Sequence, residues 1–324
     1  MGRSFLISVI AGLTLGFASL SAQNTGPRLQ WTPTVLQFDT VSCGASVSAT
    51  IEMENVGDTP LTVSECDAPT EPFSGTLPTP FTLQPAEKRL LTLHYAPTRA
   101  PLHDSLRLKL RADSPVPTAM GFLFDISDGM AGAFGSSTRI EAAHEACASF
   151  LDQVMTTGAP AHQGGVYAYS TSANYRLLRG LSSDRQKLQG AFPSAANGAH
   201  ACAWDAMQRT ITNMQTSPLL TFLIVLSGSE DAGVANCGPH SAAGVVNSAV
   251  AAGIAVYTIS FAGEDEAQLR NIAEQTGGRY IHATTDAELQ SAMDAIVGDL
   301  QYDVPQHVVL RGEAVTPLLA FSTD

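Results

Sequence analysis

The side chains best suited to chemistry stand at the ends of two apolar runs. Asp125, Ser127, Asp128 and Gly129 follow the run 121–124 (GFLF), and Ser227, Gly228, Ser229, Glu230 and Asp231 follow the run 219–226 (LLTFLIVL). Carboxylates and hydroxyls gathered in loops at strand ends supply hard oxygen donors of the kind Mg²⁺ or Ca²⁺ takes. The same groups also serve as acceptors for loop backbone N–H groups. Nucleophilic catalysis is less well served. Ser227, Gly228 and Ser229 follow a strand, yet the Gly-x-Ser-x-Gly elbow is missing and no histidine and acid follow in a suitable order. The eight histidines never fall at helical metal spacing; His144 lies on an amphipathic helix and His200 in a loop. No phosphate-cradling glycine fingerprint occurs. The residue types point to binding and not to an enzyme.

The elements that must carry these loops are legible. From Ala119 to about Leu300, strands alternate with helical periods, the signature of βα units around a parallel sheet. Strands are expected at Met120–Phe124, Gly165–Tyr169, Leu219–Leu226, Ile254–Phe261 and Arg279–His282, with an antiparallel edge strand at Arg176–Leu181. The run 219–226 is apolar throughout, as a central strand covered on both faces should be. Between strands, Ile140, Ala143, Cys147, Phe150, Leu151 and Val154 recur at helical spacing, as do Leu269, Ile272, Ala273 and Thr276 before the stop at Gly277. Thr285 and Glu288 form a capping box ahead of Leu289, Met293, Ile296 and Leu300. An α/β doubly wound, Rossmann-like domain therefore spans residues 119–302.

Ahead of it, residues 29–112 show short alternating runs with turn punctuation and no helical period. Val35–Phe38, Ser46–Met53, Leu61–Ser64, Phe81–Leu83, Arg89–Tyr95 and Ser105–Leu110 read as antiparallel strands of an all-β sandwich of about seven strands. Residues 113–118, with Pro115 and Pro117, read as a short, stiff linker. Residues 303–324 hold one or two further strands that either return to the sandwich or form a tail.

The chain has 324 residues, 17 basic and 30 acidic, for a formal net charge of −13. Such a surface repels nucleic acid and anionic lipid, which excludes nucleic acid as a partner. Residues 1–22 combine Arg3, an apolar stretch from Phe5 to Phe17, and the small residues Ser19, Ser21 and Ala22. This pattern is that of a secretory signal peptide cleaved near Ala22. Ser8, Gly12, Thr14 and Gly16 break the stretch, and a span needs ~20 apolar residues, so the exported chain is expected not to cross a membrane. Export permits disulfides among the five cysteines. No Cys-x-x-Cys pair suggests zinc or redox chemistry. Cys147, on an apolar helix face, is the natural odd one out.

Residues 125–129 resemble the first loop, Asp-x-Ser-x-Ser, of the metal-ion-dependent adhesion site of von Willebrand factor A (vWA) domains. Residues 251–296 (AAGIAVYTISFAGEDEAQLRNIAEQTGGRYIHATTDAELQSAMDAI) resemble the last third of that domain, and residues 202–207 (CAWDAM) match the helix after its second loop. The sandwich region is similar to immunoglobulin-like ASH/HYDIN-type modules. That resemblance rests on the Asn55–Gly57 turn with Pro60 and Leu61 behind it, on Leu83-Gln84-Pro85 and on Tyr95-Ala96-Pro97. It implies a spacer or interaction module.

The vWA resemblance implies a cation held by an aspartate and two serines of the first loop, a threonine of the second and an aspartate of the third. A partner's carboxylate completes the shell. Here Asp125 and Ser127 match, whereas Gly129, Ala201 and Gly228 occupy the other three positions. The degenerate set implies that no cofactor is held in the family's manner. Asp128, Glu230 and Asp231 offer oxygens for a remodelled Mg²⁺ or Ca²⁺ site. Cys202 in the second loop and Cys237 after the third are expected on one upper face, where a disulfide would brace loops that a metal otherwise ties. The analogous pairing of Cys43 with Cys66 depends on strand neighbours that the sequence leaves open. The leading expectation is an exported binding protein that engages an unidentified protein partner through these loops. A divalent-cation-dependent adhesin and a structural spacer in a surface complex are the competing readings.

Overall fold

The computed structural model describes residues 27, 29–33, 35–66, 69–99, 102–112, 117–156, 162–198, 200–217, 219–263 and 265–315. The expected signal peptide, residues 113–116 of the linker and residues 316–324 lie outside them. Among the described residues no helix is long and apolar enough to cross a membrane.

The amino-terminal region is a β-sandwich built from β1 (Leu29–Thr32), β2 (Val35–Ser42), β3 (Val47–Asn55), β4 (Leu61–Cys66), β5 (Phe73–Ser74), β6 (Phe81–Leu83), β7 (Lys88–Tyr95) and β8 (Leu102–Ala112). In β7 the pattern alternates, so Leu91, Leu93 and Tyr95 face inward while Lys88, Leu90 and Thr92 face out. Their inward partners include Ile51 and Met53 of β3, Leu61 and Val63 of β4, and Trp31, Phe38 and Phe73. Asn55 is wholly buried yet well served. Its amide donates to the Thr59 and Leu83 carbonyls at 2.8 and 2.9 Å, and its Oδ1 accepts from Gly57 N at 3.0 Å. That set of bonds fixes the turn into β4 and ties it to β6.

The second region begins with β9 (Thr118–Asp125), the hairpin β10 (Ala133–Phe134) and β11 (Ser137–Thr138), α1 (Arg139–Val154), β12 (Gln163–Tyr169) and β13 (Arg176–Ser182). It continues through α2 (Arg185–Gln189), α3 (Ala203–Met214), β14 (Leu220–Ser227), α4 (Val234–Cys237), α5 (Ala242–Ala252), β15 (Ala255–Ser260), α6 (Glu266–Thr276), β16 (Tyr280–His282) and α7 (Asp286–Tyr302). Its sheet runs β13-β12-β9-β14-β15-β16. Every pairing is parallel except β13 on β12, the antiparallel edge expected from the sequence.

Period two along the central strands explains the two cores. Phe122, Phe124, Phe222 and Ile224 face α1, α2 and α7, whereas Leu123, Leu223 and Val225 face α3, α5 and α6. α1 starts at a Thr138/Glu141 capping box and α6 stops at left-handed Gly277. The Thr285/Glu288 box opens α7, with Glu288 N donating to Thr285 Oγ1 at 3.2 Å.

A last strand, β17 (Asp303–Val315), lies in the sandwich, parallel to β2 and antiparallel to β8. The five-stranded sheet therefore runs β2-β17-β8-β4-β6 opposite the four-stranded β1-β3-β7-β5. The α/β region is thus inserted between two neighbouring strands, and among the described residues the sandwich has nine strands where about seven were expected. The same order overturns a Cys43–Cys66 pairing. Cys43 follows β2 and Cys66 ends β4, with β17 and β8 between them. Three strand spacings amount to roughly 14 Å, while a disulfide needs Cα atoms within about 7 Å. Neither cysteine is disulfide-bonded.

Cys147 is fully buried in α1, and burial pushes its thiol up. We expect native protein to leave Cys147 unlabelled by iodoacetamide at pH 8 and unfolded protein to label it fully. Rapid labelling of the native state, followed by peptide mass spectrometry, would refute this packing.

Candidate functional site

The upper ends of β9, β12 and β14 bring three loops together, in the crevice where open α/β sheets place ligands. Asp125 ends β9 and Ser227 ends β14, and both are buried. Asp125 Oδ1 accepts from Ser127 N at 2.8 Å, within its own loop, and Oδ2 accepts from Gly228 N at 3.0 Å, across to the third loop. One carboxylate therefore clamps two loops. Burial pushes its pKa up to about 6, although hydrogen bonds from Ser127, Gly228 and Ser229 pull the other way.

The Ser127 hydroxyl, also fully buried, shares a 2.7 Å hydrogen bond with the Ser229 hydroxyl. The two backbones approach so closely here that side chains are excluded. A Cβ at Gly129 would collide with Ser229 Oγ and the Gly228 carbonyl, and one at Gly228 would collide with Met130. Gly129 thus permits a close approach of two loops as well as lacking a hydroxyl.

A guanidinium completes the clamp. Arg139 Nη1 donates to the Gly129 carbonyl at 2.9 Å and to the Gly228 carbonyl at 3.3 Å. Arg139 is the first residue of α1, a position where the helix dipole disfavours positive charge. That misfit was the one sequence signal for its role; the apolar period begins a residue later and passed over it. Ser229 gave no signal beyond its place beside Gly228.

The second loop joins through different contacts. Ala201 is fully buried, packed in the apolar cluster with Leu123, Tyr169 and Val225. It forms a parallel bridge with Asp231, and Ala232 N donates to its carbonyl at 2.9 Å. Asp231 Oδ2 accepts from Trp204 N at 3.2 Å and Oδ1 from Gly233 N at 2.9 Å, while Asp231 N donates to Asp265 Oδ2 at 2.6 Å. Cys202, the residue before α3, is disulfide-bonded to Cys237 in α4. The expected brace between the second and third loops is present.

Asp128 and Glu230 are exposed at the rim. Asp128 opens a one-turn 3-10 helix, Asp128–Ala131. Among the described residues no three His, Cys, Asp or Glu side chains converge as metal ligands would. Asp128, Glu230 and Asp231 are therefore brought to the same face but not to a common point with Asp125.

Family models match two stretches of the chain. The ASH model (abnormal spindle-like microcephaly-associated, ASPM-SPD-2-Hydin) matches residues 28–108, and the von Willebrand factor type A domain model matches residues 120–295. Among curated proteins no relative matches. Solved structures with a similar fold include the conserved hypothetical protein BatB from Bacteroides thetaiotaomicron. It is 14% identical, with 56% of this chain and 98% of that chain covered and a TM-score of 0.44. The vWF domain of the type V pili tip protein Mfa5 from Porphyromonas gingivalis is 13% identical, covering 57% and 95%, with a TM-score of 0.45. The PilB minor pilin from Streptococcus sanguinis is 13% identical, covering 85% and 78%, with a TM-score of 0.44. The match over residues 120–295 takes in more than half of the sequence, and with it the chain belongs to the von Willebrand factor type A family, its VWA domain preceded by an ASH module.

Proposed function

We propose that this chain is an exported binding protein that grips a protein partner with the three upper-face loops and holds no divalent cation in the family's manner. The observation that carries this reading is the closed clamp. Both Asp125 oxygens already accept backbone N–H groups, and the Ser127 hydroxyl is taken up by Ser229. The Arg139 guanidinium bonds the carbonyls of both loops, and a second cation beside it would be repelled. Gly129, Ala201 and Gly228 provide no side-chain ligand. An octahedral Mg²⁺ shell does not fit donors so few and so committed. The loops stand preorganised without metal, and a partner meets a rigid surface rimmed by Asp128 and Glu230.

Titration with Mg²⁺, Mn²⁺ and Ca²⁺ tests this reading by thermal denaturation. We expect no rise in melting temperature with any of the three, and equal partner capture from the exported fraction with and without chelator. A rise that Asp125→Ala abolishes would instead support a cation-dependent adhesin built on Asp125, Ser127, Asp128, Glu230 and Asp231. Capture that survives Asp128→Arg combined with Glu230→Arg would move binding off this face and favour the spacer reading.

A further inference from the structure

Away from the loops, β13 forms one margin of the α/β sheet, paired on one side to β12 and open on the other. Among the described residues four large apolar side chains are exposed, and three belong to this strand: Leu177 at 54%, Leu178 at 37% and Leu181 at 36%. An edge strand normally blunts itself with polar residues, so three exposed leucines on one edge call for an occupant.

The charge beside them narrows the choice. The chain is strongly acidic, and most of its described cations are spent internally: Lys88 on Glu52, Arg185 on Asp152, Lys187 on Asp184, Arg209 on Asp205, Arg270 on Glu266 and Arg279 on Asp299. Arg176 and Arg179 of β13 differ. Arg176 bonds only the neutral Asn174 amide oxygen, at 2.6 and 3.0 Å, and no ion pair among the described residues engages either guanidinium. Arg176 and Arg179, the second within electrostatic reach of Asp184, therefore stand among three exposed leucines on a protein of strongly acidic net charge.

A second copy of the chain fits this edge poorly. Two-fold pairing would bring like guanidinium groups together, which pairing with a segment that carries carboxylates does not.

We propose that β13 is a docking strand for an extended segment of a partner protein in which apolar residues alternate with carboxylates. The leucines bury the apolar residues and Arg176 and Arg179 take the acids. This surface runs along the side of the sheet and does not depend on the loop clamp.

The probe is a fluorescein-labelled octapeptide alternating isoleucine and glutamate, read by anisotropy with the full chain. Two controls replace every glutamate by lysine or every isoleucine by serine. We expect saturable binding of the acidic apolar peptide only, weakened by added NaCl. Arg176→Glu combined with Arg179→Glu should weaken it at least tenfold and transfer preference to the lysine peptide. Leu177→Ser with Leu178→Ser should abolish binding. All these side chains are at the surface, and an unchanged melting temperature confirms that each variant folds. Asp128→Arg with Glu230→Arg should leave the octapeptide affinity unchanged, which separates this surface from the loops. No saturable binding, equal affinity for the lysine peptide, or indifference to the β13 variants would each overturn the proposal. So would a concentration-dependent dimer lost in the leucine variant, because the edge would then belong to a second copy.

Discussion

Reducing the Cys202–Cys237 disulfide is expected to destabilise the VWA domain by about 3–4 kcal/mol. The bond closes a loop with a sequence separation of 35. In the chain-entropy account, releasing a loop of that size returns to the unfolded chain between ~3 kcal/mol (15 residues) and ~4.7 kcal/mol (100 residues). For a domain of this size each kcal/mol moves the melting temperature by about 2–4 °C, so a fall of about 6–16 °C follows. The fold should survive below that transition. The Ala201–Asp231 bridge and the bonds from Asp231 to Trp204, Gly233 and Asp265 persist without the sulfur link. Thermal denaturation with and without a phosphine reductant reads the effect, and non-reduced peptide mapping verifies the bond. The variant Cys202→Ala with Cys237→Ala should melt at the reduced value and ignore the reductant. A melting temperature unmoved by complete reduction would mean that the brace contributes nothing beyond those hydrogen bonds.

Much of this architecture is written locally in the chain, and the exceptions have a common cause. β9 and β14 are apolar throughout because both faces are covered, and helical spacing marks α1, α6 and α7. Such signals need only neighbours in sequence. β17 is different, because its partners β2 and β8 lie some two hundred and more residues earlier and nothing local names them. β5, with two residues, is too short for any period to show. The same division holds at the clamp. Asp125, Ser127, Ala201 and Gly228 are found by position in their loops, and so is the Cys202–Cys237 brace. Arg139 is not, since its bonds reach Gly129 and Gly228 across ten and eighty-nine positions. What could be read from the sequence was which residues stand at those loop positions. What could not be read was that a side chain from the following helix ties two of the loops together.

Acid titration should expose the cost of burying Asp125 as a charged group. Its folded pKa of about 6 lies above the ordinary 3.8 because burial disfavours the carboxylate more than its N–H donors favour it. The folded state therefore holds a proton that the unfolded state has released between pH 4 and 6. Stability from this group is fully present below pH 4 and is lost as pH rises through about 6. A rise of about two pH units corresponds to about 3 kcal/mol, at 1.36 kcal/mol per unit. Other carboxylates titrate in the same range, so the informative quantity is the difference between wild type and Asp125→Asn. Asparagine presents one carbonyl oxygen to two donors, Ser127 N and Gly228 N, and loses about 1–2 kcal/mol at every pH for the donor left unpaired. On that constant offset, the variant should gain about 3 kcal/mol on wild type between pH 4 and 7 and hold level above it. Urea denaturation at half-unit pH steps in EDTA measures both curves. A difference that stays flat across the range would mean that the N–H donors of the clamp offset the burial of the Asp125 carboxylate in full, and the raised pKa would then be wrong. Repeating the series in Mg²⁺ adds a second discrimination. A cation on Asp125 would favour its ionised form and flatten or reverse the slope, whereas loops already closed by Ser229, Gly228 and Arg139 leave it unchanged.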